Sequence, residues 1–161
     1  MPFRLTWTVY GDQLVREEFS RFTAGVQDFR PVFEQLEADL QHSIIQSTFS
    51  SRGARIGTTW PALSTKYAEW KARNYPGRPL MVLTRRLERS LIAKTGDSIR
   101  VIGKKVFRFG TRVPYGIFHH MGTTRMPRRQ FLGLTHDDKV AWGKIVHKYC
   151  VGLMGRLRYS R

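Results

Sequence analysis

Phe33, Leu36, Leu40, Ile44 and Thr48 recur at three- and four-residue intervals, while Glu34, Glu37 and Asp39 fall off that stripe. This spacing lines one side of a 3.6-residue helix. It predicts about five turns of amphipathic rod, whose apolar face must be covered by the rest of the chain. Asp28 stands in the N-cap region, and Pro31 is tolerated in the first turn. Upstream, Phe3, Leu5, Trp7 and Val9 alternate with Arg4, Thr6, Thr8 and Tyr10, the period of a half-buried strand. Gly11-Asp12 ends that run, and Asp12 is placed to cap a helix through Leu14, Val15, Phe19 and Phe22, broken near residues 23–27.

Beyond the rod the composition shifts. Residues 50–59, SSRGARIGTT, have neither helical nor strand period and read as a flexible basic loop. Ser64 is the expected cap of a short helix over 65–73, with Tyr67 and Trp70 on one side and Lys66, Lys71 and Arg73 left to solvent. Thr84 is the expected cap of the next helix, over 84–91. The β-rich runs 98–102 and 106–109, joined at Gly103-Lys104-Lys105, predict a hairpin. Thr135 or His136 caps a last helix, with Val140, Ile145, Tyr149 and Val151 as its apolar positions, Trp142 beside them, and a basic, frayed end. The expected class is therefore α+β: long N-terminal helices packed on a small antiparallel sheet, extended basic loops and a C-terminal helix. At 161 residues this makes one domain spanning 1–161 with a modest core.

Charge sets the partners to look for. The net charge is +16, carried unevenly: residues 1–50 hold four basic and seven acidic residues, and residues 51–161 hold 24 and five. Such polarity fits a basic surface facing a polyanion or an acidic protein. No stretch approaches the roughly 18 apolar residues of a spanning helix, and Met-Pro-Phe-Arg-Leu-Thr lacks the apolar run of a secretion signal. The single cysteine, Cys150, excludes an internal disulfide framework and fits a reducing compartment.

The densest punctuation lies in 115–138, YGIFHHMGTTRMPRRQFLGLTHDD. An apolar turn around Ile117, Phe118 and Met121 ends at Gly122, which suits a left-handed helix-ending position. An exposed basic loop follows, and the chain re-enters the fold through Phe131 and Leu132. Adjacent His119 and His120 project about 100° apart on a helix, so they do not readily share one metal ion. No serine has the glycine-flanked setting of a nucleophile elbow, and no Gly-Lys-Ser/Thr follows Gly53 and Gly57. The residues compose no enzyme and imply no cofactor. The cations Arg52, Arg55, Lys104, Lys105, Arg108, Arg125, Arg128 and Arg129 suit phosphate contact without base reading, so a sequence-independent DNA-binding protein is the alternative function. A basic C-terminal helix lying on a membrane is disfavoured by Gly143, Gly152 and Gly155.

Three blocks resemble the phage virion morphogenesis family, which includes tail-completion proteins. The most specific comprises Tyr115, Gly116, Ile117, Phe118, His119, Gly122, Pro127, Arg129, Phe131, Leu132, Gly133, Asp137 and Asp138. The others are Trp60 with Leu63-Ser64 and a lysine-bearing helix, and Thr84, Leu87 and Ser90, where Arg85 stands in place of the glycine usual in the family. Together they cover roughly residues 33–140. The resemblance implies a non-catalytic subunit made in the bacterial cytoplasm and built into the virion. It implies a ring of identical subunits, taken as a hexamer, at the neck, completing the tail and touching neighbouring tail and head-connector proteins. On this reading Arg52, Arg55, Gly122, Arg125, Arg128, Arg129 and Phe131 belong to the contact arms over 50–59 and 122–129. Lys104, Lys105 and Arg108 form a set that could meet passing DNA.

Overall fold

A computed structural model describes residues 12–154. The strand expected over residues 3–10, and the chain end from residue 155, lie outside the described residues.

Helix α1 spans Asp12–Val26, running further than the expected break near 23. Helix α2, Arg30–Asp39, continues without interruption through a π-helical segment, Leu40–Ile45, into α3, Gln46–Ser50. This is the rod that the periodicity predicts, with one refinement. Val32, Leu36, Leu40, Ile44 and Thr48 are buried, but so are the adjacent Ile45 and Phe49. The wider π turn brings Leu40 and Ile45, five apart, onto the buried face together. Asp28 is not the cap residue itself: that position is held by Phe29, which makes no side-chain cap bond. Asp28 Oδ1 nevertheless accepts the Arg30 N–H at 3.1 Å, and the Phe29 N–H donates to Lys104 O at 2.8 Å.

Helix α4, Thr65–Asn74, follows a turn-rich loop; Ser64 takes the extended cap conformation without a side-chain cap bond. Helix α5 spans Arg86–Ile92, later than expected, because Arg85 rather than Thr84 occupies the cap position. Strands β1, Ser98–Ile102, and β2, Phe107–Thr111, pair antiparallel with Ser98 opposite Thr111 and Ile102 opposite Phe107. The inner face of this ribbon carries Phe107, stacked on Phe33 at 5.7 Å. It also carries Arg100, which donates to Glu37 Oε1 at 2.7 Å and to Leu91 O at 2.9 Å while lying over the Phe109 ring. Helix α6, Gly116–Met121, and helix α7, His136–Met154, complete the described chain. The arrangement is α+β.

The central core joins the C-terminal half of the rod to the later elements: Ile45, Phe49, Trp60, Val82, Leu87, Leu91, Val113 and Phe131 pack as one cluster. Helix α7 closes the other end against α1 and α2. Its inward side chains are not all those expected. Trp142 Nε1 donates to Asp39 Oδ2 at 2.8 Å and the Tyr149 hydroxyl to Asp28 O at 2.7 Å, whereas Val140 and Val151 face solvent. Thr135 is the cap: its Oγ1 accepts the Asp138 N–H at 3.2 Å, and Asp138 Oδ2 accepts the Thr135 N–H at 2.8 Å, a reciprocal capping box.

Candidate functional site

The segment after α6 is a stapled excursion. Gly122 donates its N–H to Phe118 O at 2.9 Å and turns the chain with φ +77° and ψ 170°. This is positive φ, as expected of a helix-ending glycine, but extended rather than helical ψ, a region essentially restricted to glycine. A Cβ at this position would lie 2.9 Å from the Arg128 nitrogen. The tip folds on itself: the Thr123 N–H donates to Met126 O at 2.8 Å, and Thr123 Oγ1 accepts the N–H groups of Arg125 and Met126. The root is tied by the Arg129 N–H to His119 O at 2.7 Å and by Phe131, buried against Phe49.

Arg125 and Arg128 are exposed on this arm; Arg129 is not. Only 5% of Arg129 is accessible, and its guanidinium donates from Nε to Pro61 O at 2.9 Å and from Nη2 to Ala62 O at 2.8 Å. The expectation of an exposed arginine there is corrected: its branched donors hold the 61–62 backbone in place.

Loop 50–59 is likewise ordered rather than flexible. Arg52 and Gly53 have φ of +52° and +81°, Ala54–Ile56 form a 3-10 turn, and the Trp60 N–H closes the loop onto Arg52 O at 2.8 Å. Arg55 reaches across to Asp138, donating from Nη1 to Oδ2 at 2.9 Å and from Nη2 to Oδ1, so its charge is engaged within the chain. Arg52 stays exposed. Trp60 Nε1 donates to Gln130 O at 2.6 Å, which joins this loop to the returning segment of the arm. Lys104, Lys105 and Arg108 sit exposed at the hairpin tip and on its outer face.

Two features escaped sequence reasoning. Ile117, Phe118 and Met121 on α6 are 62%, 52% and 64% exposed, an apolar strip beside the arm root. Helix α4 departs from expectation at Lys71, while Lys66 and Arg73 are exposed as expected. Tyr67 and Trp70 stack on each other toward solvent, while Lys71 is only 5% exposed and donates to Pro79 O and, at 3.0 Å, to Leu80 O. Lys71 lies in a groove of about 310 Å³ between α4, the 80–87 segment and α6, which Arg129 and His119 also line. Burial, then the neighbouring Arg129 charge, pushes the His119 imidazole below its usual range; burial, then Arg128, does the same to His120. Among the described residues no cluster of three His, Cys, Asp or Glu is placed to hold a metal, and no helix is long and apolar enough to cross a membrane.

The residues that converge on this groove and arm come from all three sequence blocks. Residues 11–150 match the phage virion morphogenesis family. The chain belongs to that family. It is also 30% identical over 125 residues, 76% of this chain and 80% of the relative, to the Mu-like prophage FluMu G protein 1 of Haemophilus influenzae. No solved structure matches. For a phage virion morphogenesis protein, a structural place in the particle follows, and an ordered arm with exposed cations beside an apolar strip becomes the feature to explain.

Proposed function

We propose that this protein forms a ring at the head-proximal end of the tail, completing the tail and joining it to the capsid, and that it catalyses no reaction. The observation that carries the reading is the arm of residues 122–129. It is held rigidly at its root, and it presents Arg125 and Arg128 beside the exposed Ile117, Phe118 and Met121. A single copy gains nothing from exposing apolar side chains next to fixed cations. A ring repeats the pair once per subunit, so individually weak contacts to adjoining subunits, tail proteins and head-connector proteins add. Arg52 extends the same contact surface. Arg55, Arg129 and Phe131 serve it by fixing the backbone from within.

The test is Arg125→Glu combined with Arg128→Glu. Both side chains are exposed, so the expected outcome is a folded monomer with an unchanged melting temperature and a loss of rings and of infectious particles. Normal particle yield from the double variant refutes the contact role. A second reading rests on Lys104, Lys105 and Arg108, whose exposure at the hairpin suits backbone contact with passing DNA. It predicts affinity for DNA of any sequence that falls steeply with salt, and loss of that dependence when the three are replaced by glutamine.

A further inference from the structure

We infer that the groove between α4, the 80–87 segment and α6 is a docking site for an acidic segment of a different virion protein, whose carboxylate reaches Lys71 and Arg129. Both cations line the groove, and both are only 5% exposed. Buried charges are ordinarily paired. Yet no described carboxylate forms an ion pair with either of these two. Carbonyl oxygens take two of the three Lys71 donors, and on Arg129 they engage Nε and Nη2 but not Nη1. His119 Nδ1, in the same wall, is buried without a partner. Burial lowers the pKa of Lys71 and Arg129, so the wall holds two cations whose charge the fold disfavours and does not neutralise. Burial and then the Arg129 charge lower that of His119, which adds an unpaired polar nitrogen rather than a charge.

The remaining lining defines what accompanies the carboxylate. Leu63, Met81, Leu83 and Leu87 form apolar walls, and the rings of Tyr67 and Tyr115 stand among them. A segment with one acidic side chain between large apolar ones satisfies both parts of the site. A second copy of this chain is a poor source. It carries the same net charge of +16, and of its described exposed carboxylates Glu17 and Glu69 stand beside Arg21 and Arg73 at 3.9 and 3.7 Å, which leaves Glu34 and Asp137 outside an ion pair. Charge complementarity therefore assigns the groove to an acidic neighbour. That this neighbour is a virion protein rests on the function proposed above; the binding chemistry does not.

The purified full chain is titrated by fluorescence anisotropy with a labelled, end-blocked leucine–phenylalanine–glutamate–leucine peptide and its glutamine counterpart. The glutamate peptide is expected to bind about tenfold or more tightly than the glutamine one, since a neutral side chain leaves the buried cations unpaired. Lys71→Met is expected to cost a similar factor. Because that change also removes bonds to the 79–80 backbone, Tyr67→Glu supplies an independent arm. Position 67 is exposed and one helical turn before Lys71, so its carboxylate is placed to occupy the cations. The stack on Trp70 is lost with it, and Tyr67→Gln, which loses the same ring without adding charge, is the control. Tyr67→Glu should abolish the peptide binding that Tyr67→Gln keeps. Equal affinity for the two peptides, absence of binding to the wild-type chain, or binding indifferent to Tyr67→Glu overturns the inference. Self-association abolished by Tyr67→Glu overturns it too, by assigning the groove to a second copy. Native mass measured on the same samples separates the two proposals. A chain that assembles but ignores the peptide refutes the groove alone, and one that binds the peptide but never assembles refutes the ring alone.

Discussion

Gly122→Ala is the sharpest test of how the arm is built. With φ +77° and ψ 170°, the backbone there lies in a region that costs an L-residue roughly 1–3 kcal/mol. The added methyl also meets backbone: the Arg128 nitrogen at 2.9 Å and its Cα at 3.1 Å. Neither atom can swing away, because the next residue donates its N–H to His119 O and is followed closely by the buried Phe131. Forcing an extra carbon into such a space costs typically about 1–3 kcal/mol. The combined loss is roughly 2–6 kcal/mol, a large share of the stability of a domain this size. It corresponds to a fall of roughly 5–20 °C in melting temperature. Thermal and urea denaturation followed by circular dichroism measure the loss, and amide exchange at Arg129 reports whether the root opens first. A loss below about 1 kcal/mol, with Arg129 still protected, would show that the turn tolerates a side chain and that the arm is not held as described.

Arg85 has φ +62°, so Arg85→Gly should relieve backbone strain and cost only an exposed 3.9 Å contact with Glu88. The net expectation is a gain of about 0.5 kcal/mol in urea denaturation, and a loss exceeding about 1 kcal/mol contradicts it. Burial alone would raise the Asp138 carboxyl, but hydrogen bonds from Arg55 and Thr135 outweigh it and hold the group below its ordinary 3.8. Its stabilisation is therefore complete above that value and is lost as pH falls through the lower folded value. Asp138→Asn should be less stable than wild type at pH 7, and the two should converge below pH 3.8; a constant gap down to pH 2 refutes the assignment. Arg100→Met leaves Glu37 without its cation in a largely buried setting, with only the Gln41 side-chain amide still donating to it, and should cost roughly 3–5 kcal/mol in urea, whereas a neutral result would mean the pair is solvated.

What was legible in the sequence is what local periodicity encodes. The three- and four-residue spacing from Phe33 to Thr48 located the rod, strand propensity around Gly103 located the hairpin, and Gly122 marked the end of α6. Thr135 stood as one of two candidate caps of α7, and its reciprocal bonds with Asp138 three residues on decide between them. Contacts between distant segments were not. Arg55 and Asp138 are 83 positions apart, and nothing local distinguishes Arg129, which binds the 61–62 carbonyls, from its exposed neighbour Arg128. The burial of Lys71 has a similar cause. Lysine is ordinarily left to solvent and aromatics are ordinarily buried, but the carbonyls of Pro79 and Leu80 offer Lys71 an interior partner, and Tyr67 and Trp70 cover each other outside. One overlooked signal was present: Ile44 and Ile45 are consecutive and both buried, as are Thr48 and Phe49, so the buried face of the rod is wider than a single three- and four-residue stripe.

Cryo-electron microscopy of intact particles addresses the central claim most directly. The account predicts a closed ring of this chain at the junction of tail and head, with the 122–129 arm of each subunit in density against a neighbouring protein. Particles that lack the chain, or that carry it with every arm projecting into open solvent, would contradict it.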